Sequence, residues 1–229
     1  MSIERNELFR KLKEIFSGCE GNVVPEDKAL EGCDGLVMYE EPLFGVSSAD
    51  DELYTEYKKD GVIGDMFMSP KEWLPGARSV VSFFLPFTER VRASNRSGRS
   101  DTTGDASNRS SQSDTSPEWL HARIEGQAFL NSFAEKIWEY FESQGEKACV
   151  PSLDERFSIE FEQLAEGDPE EIHVNSRWSE RHAAYVSGLG TFCLTRGLIS
   201  AKGVAGRYGS VIVTQKIEPD ERPYTGIYD

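Results

Sequence analysis

The stretch Asn175–Thr214, which reads NSRWSERHAAYVSGLGTFCLTRGLISAKGVAGRYGSVIVT, is the part of the chain richest in residues with special backbone roles. Asn175 or Ser176 can cap a helix, because a short polar side chain accepts a hydrogen bond from a free N–H of the first turn. The pattern predicts this helix from about Arg177 to Ser187. Gly188 then fits the left-handed position that ends a helix, which glycine adopts most easily.

The Gly188-Leu189-Gly190 sequence has two interpretations: a helix end with a tight transition into extended chain, or part of a ligand site. It is not a dinucleotide-binding fingerprint, because that motif follows a strand, precedes a helix and needs a third glycine. Here a helix precedes the motif, and Cys193 holds the third place.

The segment from Ser200 to Ser210 is predicted to be a glycine-rich loop that leads into a core strand at Val211–Val213. It contains two cations, Lys202 and Arg207, among its glycines. Such a backbone can approach a ligand closely and present N–H groups to an anion or an amide, so the segment favours a ligand site. A hairpin with a long loop is the alternative.

His182 lies inside the predicted helix, next to Arg181. We interpret it as a hydrogen-bonded structural residue, with a catalytic or axial-ligand role as the alternative. Cys193 and the three histidines of the chain carry no local signature of an activated nucleophile.

Two elements outside this stretch are well defined by pattern. Ser79–Leu85 is largely apolar on both faces, as in a central strand. Pro117–Gln144 is the best helix, with Ser116 as N-cap and Gly145 just beyond the end. The apolar residues of this helix that we expect to face the core are Leu120, Ile124, Leu130, Phe133, Ile137 and Phe141.

Residues 94–116, between these two elements, contain no large apolar residue and are rich in serine, glycine, aspartate and arginine. This composition cannot offset the entropy lost on ordering, so we expect a flexible loop. Because the part before it has too few elements for a core of its own, residues 1–229 are predicted to form a single domain rather than two.

The 229 residues carry a formal net charge of -15, with 25 basic and 40 acidic side chains. We therefore expect no nucleic-acid partner, since nonspecific binding of phosphates needs clustered cations. No apolar run is long enough to span a membrane and no export signal is recognisable, so a cytoplasmic location is predicted. The four cysteines form no CxxC pair, which predicts isolated buried thiols and no metal site within these residues.

The run SERHAAYVSGLGTF, followed by LIS, the glycine-rich segment and GSVIVT, resembles the corrinoid-binding region of epoxyqueuosine reductases and of the related reductive dehalogenases. YEEPLFGVSSADDELY and LPGARSVVSFFLPF lie where that family has comparable segments. The resemblance covers roughly Leu36–Tyr224. It implies an α/β (α+β) fold, a nitroreductase-like sandwich with a central mixed sheet flanked by helices, adapted to hold cobalamin.

The same resemblance implies where the corrinoid would lie, near Ser187–Phe192 and the loop Ser200–Ser210. The residues expected to bind the cofactor on this basis are Ser187, Gly188, Leu189, Gly190, Thr191, Phe192, Ser200, Gly203, Val204, Arg207, Tyr208, Gly209 and Ser210. The family also implies two iron–sulfur clusters in a C-terminal ferredoxin-like segment, which would begin after RPYTGIYD. We therefore expect the clusters outside these residues, on such a segment or on a separate electron-donor protein.

One departure from the family concerns the proton donor. The family has an aspartate a few residues before the helix, where this chain reads His173-Val174-Asn175. Asn175 and Tyr185 are therefore the candidate catalytic residues, as polar groups that would face the substrate. The leading hypothesis is a cobalamin-dependent reductase domain acting on a small or nucleoside-like organic substrate. A corrinoid carrier or chaperone without turnover and a flavin-dependent nitroreductase-like enzyme are the alternatives.

Overall fold

The computed structural model describes residues 4–59, 61–97, 115–163, 172–224 and 226. The helices in these residues are α1 (Arg5–Gly18), α2 (Leu53–Glu56), α3 (Pro70–Trp73), α4 (Glu89–Ser97), α5 (Pro117–Ser143) and α6 (Glu180–Val186), with 3₁₀ turns at Glu26–Lys28 and Pro151–Leu153. The strands are β1 (Leu43–Ser48), β2 (Ser79–Pro86), β3 (Ala148–Cys149), β4 (Ile159–Gln163), β5 (Ile172–Ser176), β6 (Gly190–Phe192), β7 (Leu198–Ser200) and β8 (Gly206–Val213).

The centre of the fold is a four-stranded sheet in the order β1-β2-β8-β3. Every residue of β2 is buried, which confirms the predicted central strand. The register aligns two neighbouring rows across β1, β2 and β8: a phenylalanine row of Phe44, Phe83 and Gly209, and a small-residue row of Gly45, Ser82 and Ser210. Because successive side chains of a strand point to opposite faces, the two rows lie on opposite faces of the sheet.

The fold class is confirmed as α+β, with the sheet flanked by helices. The expected mixture of strand directions is not found, since each pairing among the described strands is antiparallel. The smaller sheets are two hairpins, β4-β5 and β6-β7. The expectation that residues 1–229 form a single domain stays a prediction.

Helices α1 and α5 cover the face of the sheet that carries the phenylalanine row. Ser116 caps α5, since its Oγ accepts a hydrogen bond from the Trp119 N–H at 3.3 Å, and Pro117 is the first helical residue, as predicted. Gly145 follows with φ of +79°. The expected core residues Leu130, Phe133, Ile137 and Phe141 are buried.

The prediction for the first turns of α5 is wrong, because Leu120 is 38% exposed and Ile124 is 65% exposed. The buried face there contains small and polar residues instead, including His121, Ala122 and Gly126. Gly126 lies against the Tyr39 hydroxyl. The backbone of α5 therefore packs closely on Tyr39 here, without large apolar side chains between them.

Two element boundaries in the central stretch also differ from the prediction. The helix starts at Glu180 with Ser179 as the N-cap residue, whereas Asn175 and Ser176 lie in strand β5. Of the predicted loop Ser200–Ser210, only residues 201–205 lie between strands, because Ser200 ends β7 and β8 begins at Gly206 and pairs along its whole length with β2.

Part of the segment 94–116, predicted to be a flexible loop, is helical. Residues 94–97 belong to α4, a helix that the sequence pattern did not indicate, and residues 98–114 lie outside the described part of the chain. Among the four cysteines, Cys33 and Cys149 are buried as expected, but Cys19 and Cys193 are partly exposed.

Candidate functional site

Helix α6 lies directly on the small-residue row, which lets its backbone approach the sheet closely. A Cβ at Gly45 would overlap the carbonyl oxygen of Ser187 at the end of the helix. The Ser187 hydroxyl is 3.0 Å from that of Ser82, and the Ser210 hydroxyl contacts Glu180 in the first turn. Large side chains in this row would lift the helix off the sheet, so the row fixes both ends of α6.

Glu180 carries the most unusual carboxyl group of this region. Its Oε2 accepts a hydrogen bond from Ser210 Oγ at 2.6 Å, and Ser210 Oγ in turn accepts one from Trp178 Nε1 at 3.0 Å. Its Oε1 is buried without a hydrogen-bond partner. Burial raises the pKa of Glu180 to about 7, and the Ser210 hydroxyl offsets part of that effect. The sequence reading gave this glutamate no role.

His182 is placed as the sequence analysis expected of a structural residue. Its ring centroid is 4.8 Å from those of both Tyr57 and Phe192, and its Nδ1 is 2.7 Å from the Ser179 hydroxyl. Burial lowers the pKa of His182 to about 4, and the nearby charge of Arg181 acts in the same direction. The ring is therefore neutral near pH 7.

A cleft of about 600 Å³ lies beside the C-terminal end of α6, under the segment Pro219–Tyr224. Tyr185 lines it, together with Asp51, Asp220 and Arg222. Arg222 Nη1 donates to Asp51 Oδ2 at 2.6 Å and to the Val186 carbonyl, which ties the segment to α6. The volume falls within the range of about 300 to 1,000 Å³ that is usual for small-molecule sites.

The two candidate catalytic residues lie in different surroundings. Tyr185 lines the cleft, its ring centroid is 5.0 Å from that of Tyr224, and its carbonyl accepts the Tyr224 hydroxyl. Asn175 lies on β5 and pairs in register with Glu160 of β4. Its side chain adjoins Gly64, where an added Cβ would be 3.4 Å from Asn175 Oδ1.

The residues at the end of α6 are held by protein contacts. Gly188 has φ of +75°, which confirms the predicted left-handed helix end, and lies against the Glu221 carbonyl. Ser187, Leu189 and Phe192 are buried. At Gly190 an added Cβ would overlap the Ile199 carbonyl, so this glycine permits the close pairing of β6 with β7.

The β6-β7 hairpin and the turn after it have an open outer surface. Thr191 and Ile199 form a cross-strand pair on the side opposite the buried pair of Phe192 and Leu198. Ile199 is 44% exposed and Val204 is 54% exposed. Gly203 has φ of +86° and nothing within 4 Å of the position of a Cβ. We call Thr191, Ile199, Gly203 and Val204 the hairpin surface.

The strand β8 separates the remaining expected cofactor residues. Tyr208 and Ser210 lie on the α6 face: Tyr208 Oη donates to the Leu198 carbonyl at 3.0 Å, and its ring centroid is 4.5 Å from that of Phe84. Arg207 and Gly209 lie on the α5 face, where a Cβ at Gly209 would overlap the Phe83 ring. Ser200 is buried, and its Oγ donates to the Gly203 carbonyl.

In the described part of the chain, no group of three or more histidine, cysteine, aspartate and glutamate side chains could hold a metal ion. Within the same residues, no helix is both long and apolar enough to cross a membrane. The cytoplasmic location does not follow from this finding, and it stays a prediction.

Comparisons with known proteins find no matching family model and no matching curated protein. They do find similar solved structures. A selenomethionine-labelled epoxyqueuosine reductase is 13% identical with a TM-score of 0.48 and 96% of this chain covered, and the epoxyqueuosine reductase of Bacillus subtilis is 15% identical with a TM-score of 0.43 and 96% covered. A third structure, of an epoxyqueuosine reductase with a tRNA-Tyr stem loop, is 14% identical with a TM-score of 0.43 and 96% covered.

This chain spans about half the length of those structures, 48%, 49% and 48% respectively. Likeness at these identities and TM-scores says nothing about which ligand this chain binds or which reaction it supports. The charge-based expectation of no nucleic-acid partner stays a prediction.

Proposed function

We propose that this chain is the corrinoid-binding domain of a redox enzyme, and that the hairpin surface is where the corrinoid rests. Two things support the proposal: the ordered sequence resemblance to epoxyqueuosine reductases, and an open apolar surface at the centre of the resembling stretch. The single observation that carries it is the exposure of Ile199 and Val204 next to the unobstructed Gly203.

The residues of the hairpin surface fit a flat macrocycle fringed with amides. Ile199 and Val204 provide apolar contact, and Thr191 adds a side-chain hydroxyl beside them. At Gly203 a ligand could approach the backbone directly, because no neighbouring atom occupies the position of a Cβ. Exposed apolar side chains beside an open glycine are available to pack against the flat face of a ligand.

Other residues of the expected cofactor set do not fit direct contact with a ligand. Gly190 and Gly209 have their Cβ positions filled by protein atoms. Ser187 and Ser210 are buried in hydrogen bonds to Ser82 and Glu180. We therefore assign contact with the corrinoid to Thr191, Ile199, Gly203 and Val204. Gly190 instead permits the β6-β7 pairing, Ser187 and Ser210 hold α6, and Gly209 packs against Phe83 on the opposite face of the sheet.

When bound, cobalamin would supply a strongly reducing cobalt ion for reduction of an organic substrate. Electrons would come from iron–sulfur clusters on a ferredoxin-like segment or protein outside these residues. The contribution of the chain itself is to bind and orient. The cleft beside Tyr185 is the site that we propose for a small substrate, because its volume suits one and it adjoins the end of α6.

The test is retention of cobalamin, measured by visible absorption after incubation and desalting. Val204→Glu adds a charge to the hairpin surface. It should abolish retention, because a corrinoid bound there would bury the carboxylate without a partner, which is unfavourable. Val23→Glu is the matched control, since Val23 is 49% exposed outside the hairpin surface and should tolerate the same change. Bulky substitutions at Gly190 or Gly209 would disturb packing and are not informative.

The outcomes separate the alternatives. A wild-type protein that never retains corrinoid, or a Val204→Glu variant that retains it as well as wild type, contradicts the proposed surface. Retention of FMN in place of corrinoid would select the flavin-dependent enzyme. Retention of corrinoid without any substrate reduction in the presence of an electron donor would select the carrier.

A further inference from the structure

Arg207 is set apart from the rest of the central stretch because its side chain lies on the α5 face of the sheet. It stands opposite Leu85 of β2 in the register. Its Nη2 donates to the backbone carbonyl of Arg123, on α5, at 3.3 Å. The guanidinium therefore lies between the end of the sheet and the second turn of α5, where the Arg123 side chain is exposed.

This pair of arginines has no acidic partner within ion-pair distance among the described residues. Neighbouring cations at the same end of the sheet do have one: Arg92 Nη2 is 3.0 Å from Glu40 Oε1, and Lys202 Nζ is 3.4 Å from Glu40 Oε2. Burial lowers the pKa of Arg207, and the charge of Arg123 acts in the same direction. In a chain of net charge -15, such an uncompensated pair is unusual.

Two buried donors at this place make no short hydrogen bond: Arg207 Nε and the Tyr39 hydroxyl. The hydroxyl adjoins the Arg207 guanidinium, and this contact offsets part of the rise that burial causes in the pKa of Tyr39, but the hydroxyl has no acceptor for its own proton. Tyr39 is 2% exposed, and its ring is held between Phe87 and Phe129, with centroid distances of 5.3 and 5.8 Å. A buried donor without an acceptor is costly, so an acceptor is expected at this place.

The position of Gly126 brings these groups together. An added Cβ at Gly126 would be 2.7 Å from the Tyr39 hydroxyl, so the hydroxyl lies against this turn of α5. Arg123 lies one turn before Gly126, and its backbone carbonyl accepts from Arg207. Its charge acts on both Tyr39 and Arg207, so the three residues lie around the same turn of α5.

We propose that Arg207, Arg123 and the Tyr39 hydroxyl form a binding site for the phosphate group of a small molecule, on the face of the sheet opposite the hairpin surface. Guanidinium groups donate to phosphate oxygens in a planar fork, and two of them match the charge of a phosphate monoester. The site does not rest on the proposed corrinoid function, because none of its three residues belongs to the hairpin surface.

The test is a titration of the 229-residue protein with inorganic phosphate at constant ionic strength. The melting temperature is measured at each phosphate concentration. Phosphate should raise the melting temperature saturably, since a ligand that binds only the folded state stabilises it. Arg207→Gln should weaken binding by about tenfold or more, because it removes a charge-assisted contact. Arg177→Gln is the control: Arg177 is also half-buried and also donates to a backbone carbonyl, that of Arg156, at 3.0 Å.

Tyr39→Phe keeps the ring and removes the unpartnered hydroxyl, so it should fold normally and bind phosphate several-fold more weakly. The proposal is overturned if phosphate has no effect beyond that of chloride, or if Arg207→Gln responds like wild type. Equal binding of acetate would also overturn it, since the ligand group would then be a carboxylate.

Discussion

The two faces of the central sheet are closed in opposite ways. The face with the phenylalanine row is covered by the long helix α5 and by α1, and its contacts are mostly large apolar side chains. The face with the small-residue row is covered by α6, a helix of only seven residues, and its contacts include serine hydroxyls and the Glu180 carboxyl.

From this difference we expect the α5 face to contribute mainly to stability and the α6 face to position the candidate site. The α5 face buries apolar area and should provide most of the free energy of unfolding. On the other face the small-residue row lets α6 approach closely, and a smaller apolar cluster that includes Trp73 and Trp178 packs beside it on Val80 and Ile212. This arrangement positions the end of α6 beside the cleft and the hairpin surface. Three pairs of substitutions test this division.

Phe133→Ala should have the largest effect, since the ring is fully buried and packs against Phe16, Phe44, Phe83 and Phe129. We expect the free energy of unfolding to fall by about 3–5 kcal/mol, the usual cost of removing a buried phenylalanine. The measurement is urea denaturation. Phe161→Ala, at a position 72% exposed, is the matched control and should change little. Similar losses for both variants would contradict the role given to the α5 face.

Glu180→Gln tests the polar face through pH. The pKa of Glu180 is raised from 4.5 to about 7 in the folded protein, so the unfolded chain ionises first as the pH rises. Wild type should therefore lose stability between pH 4.5 and pH 7, by about 3 kcal/mol in total. Glu180→Gln cannot ionise, so it should resemble wild type below pH 4.5 and be more stable above pH 7.

The check is the free energy of unfolding of both proteins across that pH range. Glu160→Gln, at an exposed position on β4, serves as the control and should keep the wild-type profile. A Glu180→Gln variant that loses stability with pH as wild type does would show that another group governs the pH dependence.

The fold could be predicted where one residue type decides the local structure. Ser79–Leu85 is largely apolar on both faces, and Ser116 with Pro117 marks the start of α5, so both elements were found. Strand β1 was missed because its Gly45 and Ser47 fit a loop equally well. They are buried only because α6 and Tyr54 lie over them, which local sequence does not show.

The site was harder to predict for the same reason. Glu180 looks like an ordinary acidic residue in the first turn of a helix, and only the serine opposite it on β8 shows that its carboxyl is enclosed. Arg207 and Tyr208 are adjacent in sequence, yet strand alternation sends them to opposite faces. The sequence analysis began this strand at Val211. A strand that began at Gly206 would have placed Arg207 and Tyr208 on opposite faces by alternation.

Gly203 and Gly209 show the smallest of the expected effects and the clearest contrast. Gly209 lies in β8, where a Cβ would overlap the Phe83 ring, so Gly209→Ala should cost about 1–3 kcal/mol through overpacking. Gly203 has open space but a φ of +86°, so Gly203→Ala should cost about 1 kcal/mol through backbone strain alone. Urea denaturation of both variants measures the difference.

If Gly209→Ala were the milder change, Phe83 would have room to move, and the α5 face would be less tightly packed than its row of aromatic side chains indicates. If both changes were neutral, neither glycine would be required by the backbone, and the reason for the glycines of this segment would have to be sought in a ligand.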